Sequence, residues 1–246
     1  MKRLMDVVFS FLGLLLLSPV LLVFMFLIYR QDGYSPFYIA SRVGKNERPF
    51  QMVKLRSMII GADKSGVDST SADDMRITRV GRMIRRYKLD ELMQLWNVFL
   101  GDMSLVGPRP NVQRDTDLYT SQEKNLLSVQ PGITDFSSIV FSDEGKILES
   151  EVDPDLAYNQ LIRPWKSRLG LIYIENRTIL LDLQLILYTV VAIVSKKKAL
   201  MWVADTLRVL SADEKVIAVS RRNAELTPFP PPGSSGIVTT RNIEDR

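Results

Sequence analysis

The chain opens on an uninterrupted apolar run. From Val7 to Tyr29 it carries no charged residue and is built from Val, Leu, Phe, Met and Ile. A helix of this length rises about 1.5 Å per residue and covers a bilayer core of roughly 30 Å. No small-x-small site follows the run, which argues against a cleaved signal peptide. Ser18-Pro19 sits at its centre, where proline removes one intrahelical bond and costs about 3 kcal/mol in an ordinary helix. Basic residues flank both ends: Lys2 and Arg3 before, then Arg30, Arg42, Lys45, Arg48, Lys54 and Arg56 after. Both flanks therefore favour the cytoplasm. A helix broken at Ser18-Pro19 that enters and leaves by one leaflet satisfies the proline and the charges together.

Beyond the run the pattern changes period. Residues 34–60 read as two mixed apolar strands around a turn at Gly44-Lys45-Asn46, and residues 61–75 as a polar loop. Residues 76–100 read as one amphipathic helix, with Leu89, Leu92, Met93, Trp96, Phe99 and Leu100 on its apolar face. Gly101 supplies its stop. The turn "SLVGPRPN" at 104–111 is stiffened by two prolines around Arg109, and a further helix is expected near 112–128, ending at Pro131-Gly132. Residues 178–194 form an apolar helix ending at Lys196-Lys197-Lys198, as an interfacial helix facing anionic lipid would. The "TPFPPPGSSG" region makes 226–246 a disordered tail.

The chain has 246 residues, no cysteine and no histidine. Disulfides, thiolate nucleophiles, His-based triads and His- or Cys-bound metals are thereby excluded. Chemistry must rest on carboxylates, amines or hydroxyls, with an oxygen-bound ion such as Mg²⁺ as the natural cofactor. The net charge of +4 points to an anionic partner. Nucleic acid fits poorly, because acids interleave with the bases and no nucleic-acid module is visible.

The chemistry concentrates at residues 85–110, "RRYKLDELMQLWNVFLGDMSLVGPRP". Asp90, Glu91, Gln94 and Asn97 lie opposite or beside the apolar face. An acidic pair early in a helix ordinarily just complements the macrodipole. Here Arg76, Arg79, Arg82, Arg85, Arg86 and Lys88 precede it, and cations around a carboxylate suit a pyrophosphate and Mg²⁺. A carboxylate also suits stepwise phosphoryl transfer, since its acyl phosphate is readily displaced. Three readings remain open on these residues: a covalent transferase, a transferase whose acids only bind metal, and a non-catalytic scaffold with a basic lipid-binding surface.

The ordered motifs resemble the monotopic phosphoglycosyl transferases, the bacterial sugar transferases. They are "KRLMDVV" at 2–8, the Ser18-Pro19 break, "VKLRSM" at 53–58, "RITRVGRMIRR" at 76–86, "LDELMQLWNVFLGDMSLVGPRP" at 89–110, "PGIT" at 131–134 and "YIENRTILLDL" at 173–183. The resemblance implies an α+β, mostly helical fold, with a kinked re-entrant membrane helix (1–30) and a small catalytic domain (31–198). That domain carries a few short strands and interfacial amphipathic helices, and a C-terminal extension (199–225) and the tail (226–246) follow. It implies a bacterial inner-membrane enzyme facing the cytoplasm that moves a sugar 1-phosphate from a UDP-sugar to polyprenyl phosphate and releases UMP. Asp90 looks like the nucleophile and Glu91 like an active-site acid that binds Mg²⁺. Arg85 and Arg109 match phosphate- and nucleotide-binding arginines, and Lys54 and Arg56 match further substrate contacts. Membrane lipid is an implied partner; self-assembly and handover to downstream glycosyltransferases are left open. Two departures stand out. "PGIT" continues as "DFSSIVFSDEG", placing sugar specificity in 135–170, and Gly170 aligns where relatives usually carry an acid. Asp153, Asp155 and Glu175 are its neighbours in sequence.

Overall fold

The computed structural model describes residues 1–62, 74–149 and 151–240. Most of the polar loop expected at 61–75 therefore lies outside the described residues, as do 241–246. Helix α1 (Lys2–Asp32) is continuous through Pro19 and ends at Gly33, whose left-handed backbone lets its N–H reach the Tyr29 carbonyl. At Ser18-Pro19, where a break is expected, the helical conformation continues. Proline orphans the carbonyl four residues back, that of Leu15, and the Ser18 hydroxyl donates to this same oxygen at 2.8 Å. Serine thus repairs locally what proline removes. By length and composition α1 is long and apolar enough to cross a membrane.

The expected hairpin is present. Strands β1 (Phe37–Val43) and β2 (Pro49–Leu55) pair antiparallel, Phe37 opposite Leu55, around a 3₁₀ turn at Lys45–Glu47. The single helix expected over 76–100 is instead three: α2 (Arg79–Arg86), α3 (Leu89–Leu92) and α4 (Gln94–Leu100). Lys88 adopts a left-handed conformation, φ 52°, and turns the chain between the first two. Tertiary packing supports that turn, because Ile84 before it and Leu89 and Leu92 after it all pack with Leu21 and Ile28 of α1 and Leu55 of β2. The polar stripe is also corrected. Gln94 and Asn97 are buried, each 1% exposed, whereas Trp96 and Leu100 are exposed. The Asn97 amide holds β2 by accepting from Val53 N–H and donating to the Gln51 carbonyl.

Strands β3 (Ser104–Val106) and β4 (Gly132–Thr134) pair in parallel. Between them the helix expected near 112–128 resolves into α5 (Gln113–Asp117) and a 3₁₀ segment, Glu123–Ser128. Gly107 and Gly132 touch backbone to backbone: a Cβ on Gly132 would lie 2.1 Å from the Gly107 nitrogen. Gly132→Ala must therefore push back the turn that carries Arg109, at a cost of about 1–3 kcal/mol or more. Thermal unfolding should show this loss together with reduced activity.

The main core lies behind this pair. Short helices α6 (Phe136–Val140), α7 (Glu144–Ile147) and α8 (Pro154–Ala157) lead through a π turn, Tyr158–Ile162, into α9 (Arg163–Asn176). Helices α10 (Ile179–Val194), α11 (Lys196–Val209) and α12 (Glu214–Ser220) follow. Phe136, Ile162, Leu169, Tyr173, Leu185 and Leu207 form its buried centre. The boundary expected at 198 falls inside α11, whose Ala199, Leu200, Val203, Ala204 and Leu207 all join this core. Helix α10 agrees with the expected 178–194 segment. One side of it is buried, while Leu183, Leu187, Val190 and Val194 stay exposed. Residues 226–240 correct the disordered tail, because they pack on the domain: Phe229 stacks on Trp165 and Val238 is buried.

Candidate functional site

Three polar anchors tie the start of α1 to the domain. Lys2 donates to Asp182 at 2.7 Å and to the Val106 carbonyl, and Tyr173 donates to the other Asp182 oxygen. Arg3 donates to the Val98 and Phe99 carbonyls, and buried Asp6 accepts from Leu105 N–H and the Ser104 hydroxyl. At the other end Arg56 forms a two-pronged pair with Asp32, at 2.5 and 2.7 Å. Arg56 is 7% exposed, so this expected substrate contact is occupied as a clamp on the end of α1. Both ends of the apolar helix are thus fastened to the same domain.

Asp90 and Glu91 open α3, straight after the left-handed Lys88. Their environments diverge. Arg109, carried by the turn after β3, donates to Glu91 at 2.5 Å. Burial pushes the Glu91 carboxyl up, but the Arg109 charge and hydrogen bond, with Lys54 and Lys88, outweigh it and hold it at about 2. The same Glu91 charge raises Arg109 above its ordinary value against burial. Asp90 has no ion pair and accepts no hydrogen bond from another side chain among the described residues. Burial pushes its carboxyl up, opposed by the charge of Lys54, reinforced by Glu91 and opposed again by Arg85. Burial and the charge of Arg109 both lower Lys54, while Glu91 and Asp90 hold it up. Burial likewise lowers Arg85, with Asp90 and Asp74 opposing, and its Nε donates to the Ser57 hydroxyl at 3.0 Å.

Glu91's folded value lies below its unfolded one, so its contribution to stability is complete above about pH 4.5 and is lost as pH falls through about 2. In Arg109→Ala, burial acts with less opposition. NMR titration of Glu91 should then show a value well above 2; an unmoved value would mean that Arg109 is not its controlling partner.

The structure therefore gathers Asp90, Glu91, Lys54, Arg85 and Arg109, and leaves out Arg56 and the Ser18-Pro19 pair. Asp90 and Glu91 are the adjacent carboxylates of this cluster, and no group of three or more His, Cys, Asp or Glu residues that could hold a metal occurs among the described residues. One carboxylate, Glu91, is enough for Mg²⁺ when water and substrate phosphate oxygens complete its shell, so the donor set fits that ion. At Gly170 a Cβ would meet Leu126 at 2.7 Å, so the space of a side chain is filled. None of the three neighbouring acids is shown replacing the missing one at the Asp90–Glu91 pair; Asp153 caps α8 and Glu175 is exposed.

Beyond Arg109 lies a narrow cleft, lined among others by Asn111, Tyr119, Asp135, Tyr158 and Lys166. Sequence reasoning placed specificity somewhere in 135–170 but did not find the two tyrosines. No local pattern marks them, since the fold brings them beside Arg109. Arg163, which also lines the cleft, forms a buried pair with Glu123 at 2.6 Å.

Comparison with known proteins agrees with the motifs. A UDP-N-acetylgalactosamine-undecaprenyl-phosphate N-acetylgalactosaminephosphotransferase of Aeromonas hydrophila is 32% identical over 184 residues, 73% of this chain and 43% of that protein. The UDP-glucose:undecaprenyl-phosphate glucose-1-phosphate transferase of Klebsiella pneumoniae is 34% identical over 177 residues, 69% of this chain and 37% of that protein. The uncharacterized sugar transferase EpsL of Bacillus subtilis (strain 168) is 34% identical over 191 residues, 77% of this chain and 85% of that protein. The chain thus spans less than half the length of the first two. The family described as bacterial sugar transferase matches residues 1–196. With the acidic pair, its arginine partner and the anchored apolar helix all inside that stretch, the chain belongs to the bacterial sugar transferases.

Proposed function

We propose that this chain transfers a sugar 1-phosphate from a UDP-sugar to polyprenyl phosphate, the first membrane step of a surface glycan such as O-antigen, capsule or exopolysaccharide. The supporting observation is the asymmetry of the acids. Glu91 is held by Arg109, whereas Asp90 forms no ion pair among the described residues and sits amid the fields of Lys54 and Arg85. A carboxylate that no cationic side chain has captured is the better nucleophile.

In the first step an Asp90 oxygen attacks the β-phosphorus of the UDP-sugar. The bond from that phosphorus to the bridging oxygen breaks, UMP leaves with the oxygen, and the phosphosugar stays on Asp90. In the second step a polyprenyl phosphate oxygen attacks the same phosphorus, forms the diphosphate link and frees the Asp90 carboxylate. Lys54, Arg85 and Arg109 supply positive charge for the phosphates, and Arg109 also orients Glu91. Glu91 would hold Mg²⁺, whose chemistry when bound is to neutralise phosphate charge.

The same reading covers topology. A straight span puts its ends on opposite sides of the bilayer, yet Lys2 and Asp32 are both paired with the one domain. Both ends then lie on its side, and the basic flanks make that side cytoplasmic. A cysteine introduced near Lys2 should resist a membrane-impermeant label in intact cells; labelling from the periplasm would refute this topology.

The decisive assay is UMP release from UDP-N-acetylgalactosamine, UDP-galactose and UDP-glucose with undecaprenyl phosphate and Mg²⁺. Mass spectrometry of a quenched reaction should find a phosphosugar on the peptide containing Asp90. No UMP from any donor would favour the scaffold reading.

A further inference from the structure

Residues 226–240 lie outside the stretch matched by the family, yet they grip the cleft beside Arg109 from behind. The Phe229 ring stacks on Trp165 with centroids 4.4 Å apart, and the Arg168 guanidinium lies 4.8 Å from the Phe229 ring centre. Phe229 N–H donates to the Gln160 carbonyl at 3.0 Å, and the Gln160 side-chain amide donates to the Val238 carbonyl at 2.7 Å. The Thr120 hydroxyl donates to the Pro232 carbonyl at 2.5 Å. The segment therefore holds Gln160 at two points and fastens the residue after Tyr119.

Gln160 is the middle residue of the π turn Tyr158–Ile162. Such turns widen the helical ring and are frequent at functional sites. Tyr158 opens this one. It lines the same cleft as Arg109, with the Lys166 ammonium 5.3 Å from its ring centre. Its hydroxyl makes no hydrogen bond among the described residues, although Tyr119 in the same cleft is bonded to Asn111 at 2.6 Å. A partly buried phenol with no protein partner, beside a guanidinium, suits an oxygen-rich ligand.

We propose that residues 226–240 act as a strap that positions Tyr158, and that the Tyr158 hydroxyl hydrogen-bonds an oxygen of the nucleotide sugar held at Arg109. This rests on the UDP-sugar reading above. Tyr158 is then a binding residue, while Gln160 and Phe229 are positioning residues that act through it. The strap makes no contact with Asp90 or Glu91 among the interactions described, so its loss should weaken donor binding more than the chemical step.

The test measures UMP release by the full chain with varied UDP-N-acetylgalactosamine, UDP-galactose or UDP-glucose, whichever the unaltered protein uses best. Tyr158→Phe and Phe229→Ala should each raise KM about tenfold with kcat changed by less than about twofold. Their combination should be no worse than about the larger single effect, because both act on one contact. Phe229→Trp, which keeps a stacking ring, should restore KM. Should Phe229→Ala fail to fold, Gln160→Met removes only the side-chain bond to Val238 and is expected to raise KM in the same way. An unchanged KM in folded, active Phe229→Ala or Gln160→Met protein overturns the strap alone, as would single effects that multiply to about a hundredfold. An unaltered chain that releases no UMP from any of the three donors overturns the parent reading, and this one with it.

Discussion

Asp90→Asn is expected to lower UMP release by at least about 10³-fold while leaving the protein folded. Asparagine keeps the shape of the side chain and removes the nucleophilic charge. The stability readout separates chemistry from misfolding, and its sign follows from the environment. Burial raises the Asp90 carboxyl above its ordinary value, with the cations opposing. In a carboxylate whose folded value is raised, the charged form costs stability at neutral pH, and a neutral isostere relieves that cost. The melting temperature of Asp90→Asn should therefore match or exceed that of the unaltered chain. Glu91→Gln should behave oppositely, because it leaves Arg109 without its charged partner and loses stability. Normal turnover by Asp90→Asn would sink the covalent mechanism and leave a transferase whose acids only bind metal. The same raised value moves the acid limb of activity above the range of an exposed aspartate. The pH profile of kcat/KM at limiting donor should show that displacement.

The largest loss of stability is expected from Arg163→Met. The Arg163–Glu123 pair is almost fully buried, and every strong group around it is engaged. Glu123 accepts two bonds from the guanidinium, one from the Ser167 hydroxyl and one from Thr120 N–H. Arg163 also donates to the Leu118 carbonyl and the Asn159 side chain. Removing one partner leaves a buried carboxylate uncompensated, which costs about 3–5 kcal/mol. For a chain of this size each kcal/mol moves the midpoint by about 2–4 °C, so a fall of roughly 6–20 °C is expected by calorimetry. Arg163→Met with Glu123→Gln should recover much of it, since a neutral amide is cheaper to bury than a lone charge. A double variant no more stable than Arg163→Met would show that packing, not charge, dominates there.

The parts of this protein legible in its sequence are those that local chemistry fixes. A run without charge from Val7 to Tyr29 can only be an apolar helix, and two mixed apolar runs around Gly44-Lys45-Asn46 give the hairpin. Asp90, Glu91 and Arg109 were legible because they sit in an ordered series of motifs, and because a chain without histidine or cysteine has few other groups for chemistry. What stayed hidden depends on partners far away in the chain. Periodicity reports which face is apolar but not a single left-handed residue, so the turn at Lys88 was invisible until Ile84 and Leu89 were seen packing on α1. It also assumes that polar means solvated, and Asn97 overturns that by pairing with the backbone of β2.

The apolar helix is where the division is clearest. Its length and flanking charges were set by sequence alone, because hydropathy and proline chemistry are properties of the residues themselves. Which group meets the Leu15 carbonyl that Pro19 leaves open was not, because the Ser18 hydroxyl takes it only in the folded helix. That Lys2, Arg3 and Asp6 act as anchors and Arg56 as a clamp was decided by the tertiary structure alone. Such pairings join residues up to 180 positions apart, and an ion pair takes its meaning from the partner that the fold delivers to it.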